Sequence, residues 1–371
     1  MANSVFEWER PLVELESRIK ELQAFVDQRG IDLTAEIATL QEKADRLRAE
    51  IFANLTPWQR VQMARHPKRP TTLDYIELIF DDFLELHGDR TVRDDEAMVG
   101  GIALLDGVPV TVIGPQKGRD TKENIRRNFG LPHPEGYRKA MRLMHQAAKF
   151  GRPIISLIDV VGAYPGIEAE QRGQGVAIAE NIRQMSFLEV PIICVVTGEG
   201  GSGGALAIGV GDRVLMMENA WYSVISPEMC AEILWKDTSK APEAAAVLRL
   251  GAEDLLEFEI IDEVIAEPLG GAQRDPEDAA RRLKEALVRH LHELMRYDGP
   301  ALVEARLAKY RRMGRLAELT EEQMRAAAEA DAATYRYETV RVNAASYVLA
   351  GIDVDATRAL NRHWVVDGDW P

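Results

Sequence analysis

The chain has 371 residues, 46% of them hydrophobic and 28% charged, with a formal net charge of −15. This is the composition of an ordinary globular protein with a sizeable core, and its acidic balance argues against a general nucleic-acid surface. Cys194 and Cys230 are the only cysteines, which excludes a disulfide scaffold and a cysteine zinc site and points to a reducing compartment. No apolar run follows a basic N-terminal segment or reaches the length of a membrane span, so the expected location is the cytoplasm and no membrane partner is expected.

From Leu12, apolar residues recur at Leu15, Ile19, Leu22 and Val26, and after Arg29-Gly30 at Ile37, Leu40, Ala44, Leu47 and Ile51. Steps of three and four over two segments predict a helical hairpin with a coiled-coil-like seam, an interaction arm rather than a site. Thr56-Pro57 reads as an N-cap followed by proline in the first turn, and Pro67 closes that short helix. Thr72 opens another helix, expected to hold Leu73, Ile76, Phe80, Phe83 and Leu84 on one face until Gly88 ends it. Near Met98 the pattern changes. Val99 to Leu105 and Val108 to Ile113 are branched runs joined by Asp106-Gly107, a strong hairpin signal.

A basic loop follows, with Lys117, Arg119, Lys122, Arg126 and Arg127 inside eleven residues. In an acidic chain it points to an anionic ligand or partner, with a solvated helix face as the plain alternative. Pro134 to Phe150 is a predicted helix stopped by Gly151, and Ile154 to Ile158 a buried strand running into Asp159-Val-Val-Gly-Ala-Tyr-Pro-Gly. A helix from about Ala169 to Met185 follows that turn. The unit then repeats as a strand from Val190 to Val196, a glycine turn and a helix start. Strands near Val214 to Met217 and Trp221 to Ile225 precede a helix opened by Ser226-Pro227-Glu228. This succession predicts an α/β core with parallel strands, whose ligands sit at the strands' C-terminal ends. Helices are expected from about Glu277 to Arg296 and from Pro300 to Arg315. Thr320-Glu-Glu-Gln323 reads as a capping box for one more, Ala-rich and ending near Gly351.

The most informative stretch is Gly198-Glu-Gly-Gly-Ser-Gly-Gly, in which five of seven residues are glycine. Without a Cβ the chain can take φ > 0 and let another molecule approach its N–H groups. Gly203 and Gly204 stand where the helix begins, so their N–H groups lack an intrahelical acceptor and point out from a positive dipole end. That is an oxyanion site. The competing readings are a tight turn that needs small residues for packing, and a phosphate loop; the latter lacks its Lys-Ser/Thr, since Ala205 and Leu206 follow instead. Gly200, Ser202 and Gly204 also fit Gly-x-Ser-x-Gly, so a nucleophile elbow stays open. No histidine is placed for catalysis, no metal motif is found, and Asp159 and Glu199 read as turn-stabilising carboxylates rather than bases.

Eight motifs in order carry a resemblance: Val99-Gly-Gly-Ile-Ala, Gln116-Lys-Gly-Arg, Arg126-Arg-Asn-Phe-Gly, Pro134-Glu-Gly-Tyr-Arg-Lys-Ala, Gly162-Ala-Tyr-Pro-Gly, the glycine stretch through Gly209, Tyr222-Ser-Val-Ile-Ser-Pro-Glu and Ile233-Leu-Trp-Lys. Over roughly residues 5 to 315 the chain resembles the carboxyltransferase alpha subunit of bacterial acetyl-CoA carboxylase. The resemblance implies an α/β, crotonase-like (ClpP/crotonase) fold of repeated ββα units, with an N-terminal helical hairpin and C-terminal helices. The expected divisions are a helical arm over 1–90, the carboxyltransferase core over 91–275, C-terminal helices over 276–316 and a helical extension over 317–371.

The same resemblance implies transfer of the carboxyl group from carboxybiotin, held on a biotin carboxyl carrier protein, to acetyl-CoA, giving malonyl-CoA for fatty-acid synthesis. Biotin would not be attached to this chain, which would hold no metal. A separate beta subunit, bearing a zinc ribbon and the thioester enolate site, would complete an α2β2 heterotetramer. Gly203 and Gly204 match the glycines whose amides hold the ureido oxygen of biotin, and the biotin anion can take the acetyl proton, so no protein base is required. Gly162, Ala163, Tyr164, Gly200, Gly201, Lys117, Lys122 and Arg126 are the further substrate-binding candidates. Val160-Val161 stands where members usually carry Thr-Pro. The alternatives are a carboxyltransferase or decarboxylase subunit for another acyl-CoA, and a non-catalytic assembly subunit of such a complex.

Overall fold

The structure, a computed structural model, describes residues 6–29, 33–314, 336–342 and 345–351. It divides into a unit spanning Met1–Met313 and a second spanning Gly314–Pro371. The first unit opens with the predicted hairpin, α1 (Arg10–Arg29) and α2 (Thr34–Ala53). Its seam closes on Leu12, Ile19, Ala44 and Phe52, with Leu15, Leu40 and Leu47 packed alongside. In α3 (Pro57–Ala64) the Thr56 hydroxyl accepts from the Gln59 amide while the Gln59 side chain accepts from the Thr56 amide, a reciprocal cap.

The next helix, α4 (Thr72–Ile79), is shorter than its apolar spacing predicts, because Phe80 is already extended and β1 (Asp81–Glu85) follows. Phe83 and Leu84 therefore lie on a strand and not on the helix face with Leu73 and Ile76. The run is too short for its period to separate the two structures, and antiparallel pairing with β2 (Met98–Leu105) decides it. β2 and β3 (Val108–Pro115) form the expected hairpin, with positive φ at both Asp106 and Gly107, as a type I′ turn requires.

After β3 come α5 (Thr121–Arg126), α6 (Pro134–Lys149), β4 (Ile154–Val160), α7 (Ile167–Gln171), α8 (Gln174–Met185), β5 (Ile192–Gly201), α9 (Ser202–Leu206), β6 (Arg213–Met217) and β7 (Trp221–Ser223). Then follow α10 (Pro227–Trp235), α11 (Ala241–Leu248), α12 (Ala252–Glu257), β8 (Glu263–Ile265), α13 (Pro276–Leu294) and α14 (Gly299–Arg312). The sheet order is β1-β2-β3-β4-β5-β6-β8, with β7 pairing the far end of β5. Strands from β3 onward pair in parallel, and α6 packs on β2 and β3 while α13 packs against α4, β5 and β8. Buried on both faces, β4 and β5 are apolar, Ser156 apart, until Asp159 and Thr197. This is an α/β architecture, with the N-terminal hairpin and two C-terminal helices as expected.

Two further expectations are corrected. The helix expected from Ala169 to Met185 is broken into α7 and α8 at Gly173, whose φ of +84° no helix interior accepts. The Ala-rich helix expected to end near Gly351 is replaced over its last part by a hairpin, β9 (Arg336–Val342) and β10 (Ala345–Gly351), paired antiparallel from Val342↔Ala345 to Arg336↔Gly351. The branched and aromatic residues of these segments suit a pleated strand better than a helix. The proposed cap at Thr320 lies outside the described residues.

A buried arginine fastens α14 to the core. Arg306 donates to both oxygens of Asp212, at 2.9 and 2.8 Å, and to the carbonyls of Met185, Leu188 and Val190 at 2.7, 2.9 and 3.0 Å. Arg306→Met is expected to lower stability by about 3–5 kcal/mol, because it leaves three carbonyls without donors and the buried Asp212 charge without its cation, with the Ile192 amide as its remaining donor. Urea denaturation checks this, and a loss below about 1 kcal/mol would refute it.

Candidate active site at the end of strand five

The glycine stretch is not the loop that its composition predicts. Gly198, Gly200 and Gly201 are the last part of β5, and the helix α9 starts directly at Ser202. Glycine is needed here for close approach. A Cβ on Gly201 would fall inside the Val161 carbonyl, one on Gly198 inside the Asp159 carboxylate, and one on Gly200 would stand 2.8 Å from the Tyr222 ring. Gly200 pairs with Val160 of β4 and Tyr222 of β7, which draws three strands together at this edge.

The direction change falls on Ser202, a non-glycine residue with φ +57°, and beyond it the amides of Gly203 and Gly204 open the helix. Among the described residues neither amide has an acceptor. Since α9 has only five residues, the polarity of these two N–H groups, and not a long macrodipole, is what an anion would meet. Gly203 is half-buried, and a Cβ there would touch only Ile178, at 3.5 Å. Gly204 is buried; a Cβ on it would stand 2.5 Å from the Ala163 nitrogen and 2.6 Å from the Gly162 carbonyl carbon. The second glycine turn is thus brought against the first, uniting Gly162, Ala163, Gly203 and Gly204. Tyr164 continues that turn, its amide donating to Pro132 and its ring 4.2 Å from that of His133.

Beneath the turn lies a chain of charges. Lys117 Nζ reaches Asp159 Oδ1 at 2.6 Å and Glu199 Oε2 at 2.9 Å, and the Glu199 amide donates to the same Asp159 oxygen at 2.9 Å. Glu199 Oε1 takes a bond from Arg65 Nε at 2.6 Å, and Arg65 also grips Glu228. Burial opposes charge on Glu199, yet Lys117 and Arg65 hold its carboxyl below the usual range. Burial likewise opposes charge on Lys117, and the two carboxylates hold its ammonium above the usual range.

Lys117 therefore acts as an internal counter-ion, and its charge is not free for an anionic ligand as the basic loop implies. Asp159 and Glu199 brace the turn, as their sequence context indicates. Arg119 is paired with Asp74, Arg126 with Glu96 and Glu123, and Arg127 with Glu123. Among the described residues Lys122 is the exposed member of the loop without such a partner. Arg65, Glu228 and Tyr137 are not among the site residues read from the sequence, because Arg65 and Tyr137 reach this strand end from 134 and 67 residues away and Glu228 joins it through Arg65, so no local spacing marks them. Among the described residues no histidine is bonded to Ser202, so there the elbow-like φ comes without the base a nucleophile needs.

The fold and the site define an α/β protein whose strand end offers main-chain donors, with no activated side chain at that turn among the described residues. The chain belongs to the acetyl co-enzyme A carboxylase carboxyltransferase-like family, whose model matches residues 5–314. It is 57% identical over 312 residues to the acetyl-coenzyme A carboxylase carboxyl transferase subunit alpha of Thermus thermophilus, covering 84% of this chain and 99% of that one. It is 59% identical over 312 residues to the subunit of that name in Geobacter metallireducens, covering 84% and 98%. A chain of the transcarboxylase 12S crystal structure is similar at 22% identity and a TM-score of 0.48, over 58% of this chain and 40% of that one.

The charge chain makes stability depend on pH with a definite sign. The folded pKa of Glu199 lies below its ordinary 4.5, so its contribution is complete above that pH and is lost as pH falls through the folded value. The folded pKa of Lys117 lies above 10.5, so its contribution is complete below that pH and is lost as pH rises through the folded value. Lys117→Met is expected to cost about 3–5 kcal/mol at neutral pH, with part regained at acid pH as Glu199, no longer held ionised by the ammonium, takes a proton. Denaturation curves of the variant at both conditions test this; a loss independent of pH would contradict the ion-pair account.

Proposed function

We propose that this chain is the alpha half of a carboxyltransferase that moves a carboxyl group from biotin on a carrier protein to acetyl-CoA, forming malonyl-CoA for fatty-acid synthesis in the cytoplasm. The observation that carries the reading is the pair of acceptor-free amides at Gly203 and Gly204, held by a second glycine turn in a member of this family. Biotin supplies the carboxyl group and gathers negative charge on its ureido oxygen as that group leaves. The residues fit such an oxygen: the donors are uncharged N–H groups, Gly203 leaves room for approach, and exposed Ile167, Val176 and Leu206 on α7, α8 and α9 offer apolar contact to a ring. One preorganised donor of this kind is worth about 2.7–4 kcal/mol of barrier. Gly200 and Gly201 keep the strand end narrow, and Gly162, Ala163 and Tyr164 form the opposing wall.

This chain supplies one side of the reaction. A separate beta subunit, with its own zinc ribbon, would provide the amides for the thioester enolate, in an α2β2 assembly. Exposed apolar residues support such a partner: Val224 follows β7, and Met229, Ile233 and Leu234 lie on α10, next in chain to the strand that pairs with Gly201. Lys122 and Arg126, on α5, are proposed to meet the phosphates of coenzyme A, a role Arg126 would share with its ion pair to Glu96.

In the complex reconstituted with the beta subunit and biotinylated carrier, Gly204→Val is expected to reduce malonyl-CoA formation about 10²–10³-fold, the loss typical of one oxyanion donor. Turnover indifferent to the change would refute the catalytic reading and favour an assembly subunit. The paired variant Lys122→Glu with Arg126→Glu is expected to raise the KM for acetyl-CoA several-fold with little change in kcat. An unchanged KM would make the loop a solvated face.

A further inference from the structure

Two adjacent glycines are a poor way to hold an amide still, since each has the widest backbone freedom of any residue. The peptide plane carrying the Gly204 N–H is held at its other end, where the Gly203 carbonyl accepts from the Ala207 amide at 2.9 Å. The next plane has no such backbone tether. The helix tightens after Leu206, and the Ile208 amide bonds Ala205 at 3.2 Å, bypassing the carbonyl of Gly204. Among the described residues that carbonyl has one donor, the Tyr137 hydroxyl at 3.2 Å.

Tyr137 comes from α6 and is fully buried. Its own carbonyl takes a bond from Asn181 Nδ2 of α8 at 3.0 Å, so two helices fix it. Its oxygen stands 2.9 Å from the place where a Cβ of Gly204 would be, closing the space into which that residue could move. We propose that Tyr137 is a positioning residue: its hydroxyl, bonded to the Gly204 carbonyl, sets the peptide between Gly204 and Ala205 and thereby aims the oxyanion amides. Burial raises the phenol's pKa and keeps it in the donating form.

This inference rests on the reading of Gly203 and Gly204 given above. In the complex with the beta subunit and biotinylated carrier, Tyr137→Phe is expected to lower kcat at least ten-fold while the KM for acetyl-CoA stays within two-fold. Leu143→Ala is the control: it opens a cavity beside the sheet on the same helix but leaves the hydroxyl in place, and is expected to lower the Tm without a matching fall in kcat. A Tyr137→Phe complex with kcat within two-fold of wild type overturns the proposal, as does a Leu143→Ala complex that loses kcat equally. Should Tyr137→Phe fail to assemble, Asn181→Ala carries the test, with at least a three-fold loss of kcat expected and no loss overturning it. A wild-type complex without carboxyl transfer would instead refute the underlying reading.

Discussion

The ion contact of Lys117 with Asp159 and Glu199 holds the candidate site in place. It joins the segment after β3 to the ends of β4 and β5, the point where both glycine turns leave the sheet. Two buried carboxylates so close would repel each other and resist desolvation without a cation between them. Lys117 and Arg65 supply the positive charge that holds the Glu199 carboxyl below its usual range, and both carboxylates accept hydrogen bonds from neighbouring segments. The rigidity needed above is thus secured from below by charge, while the glycines keep Cβ atoms out of the same narrow space.

This arrangement separates holding from chemistry. The charged groups face one another and form the brace, whereas the groups left without partners are neutral amides. A neutral donor suits an oxygen that becomes anionic only during reaction, because it binds the uncharged ground state weakly and strengthens as charge develops. A free lysine at the same place would bind any anion at all times. Internal neutralisation of Lys117 keeps a permanent free charge away from the donor surface, and α7, α8, α9 and α10 each carry exposed apolar residues.

The second unit follows a different logic. Family similarity covers residues 5–314, and the hairpin of β9 and β10 lies beyond it. Its strands alternate in a simple register without a bulge, and a lone two-stranded hairpin is marginal in water. The segment is accordingly an addition to the matched family core.

Much of the fold was legible in the chain because local chemistry and tertiary need coincide. The hairpin of α1 and α2, the Thr56 cap, the Asp106-Gly107 turn, and strands β4 to β6 announce themselves by period, capping and turn residues, and the motifs around Gly162 and Gly203 identify the family. Where the signal was short, pairing decided: Phe83 and Leu84 join an edge strand, and Gly173 divides a helix whose apolar pattern continues across the break. The glycines from Gly198 to Gly201 announce a tight backbone, but whether that means a loop or a crowded strand depends on Val161, Asp159 and Tyr222, which come from other segments. The role of Lys117 was decided in the same way. Five cations in a loop share one sequence signature, and only the fold determines which of them meets a buried carboxylate, since charge pairing depends on distance in space and not along the chain.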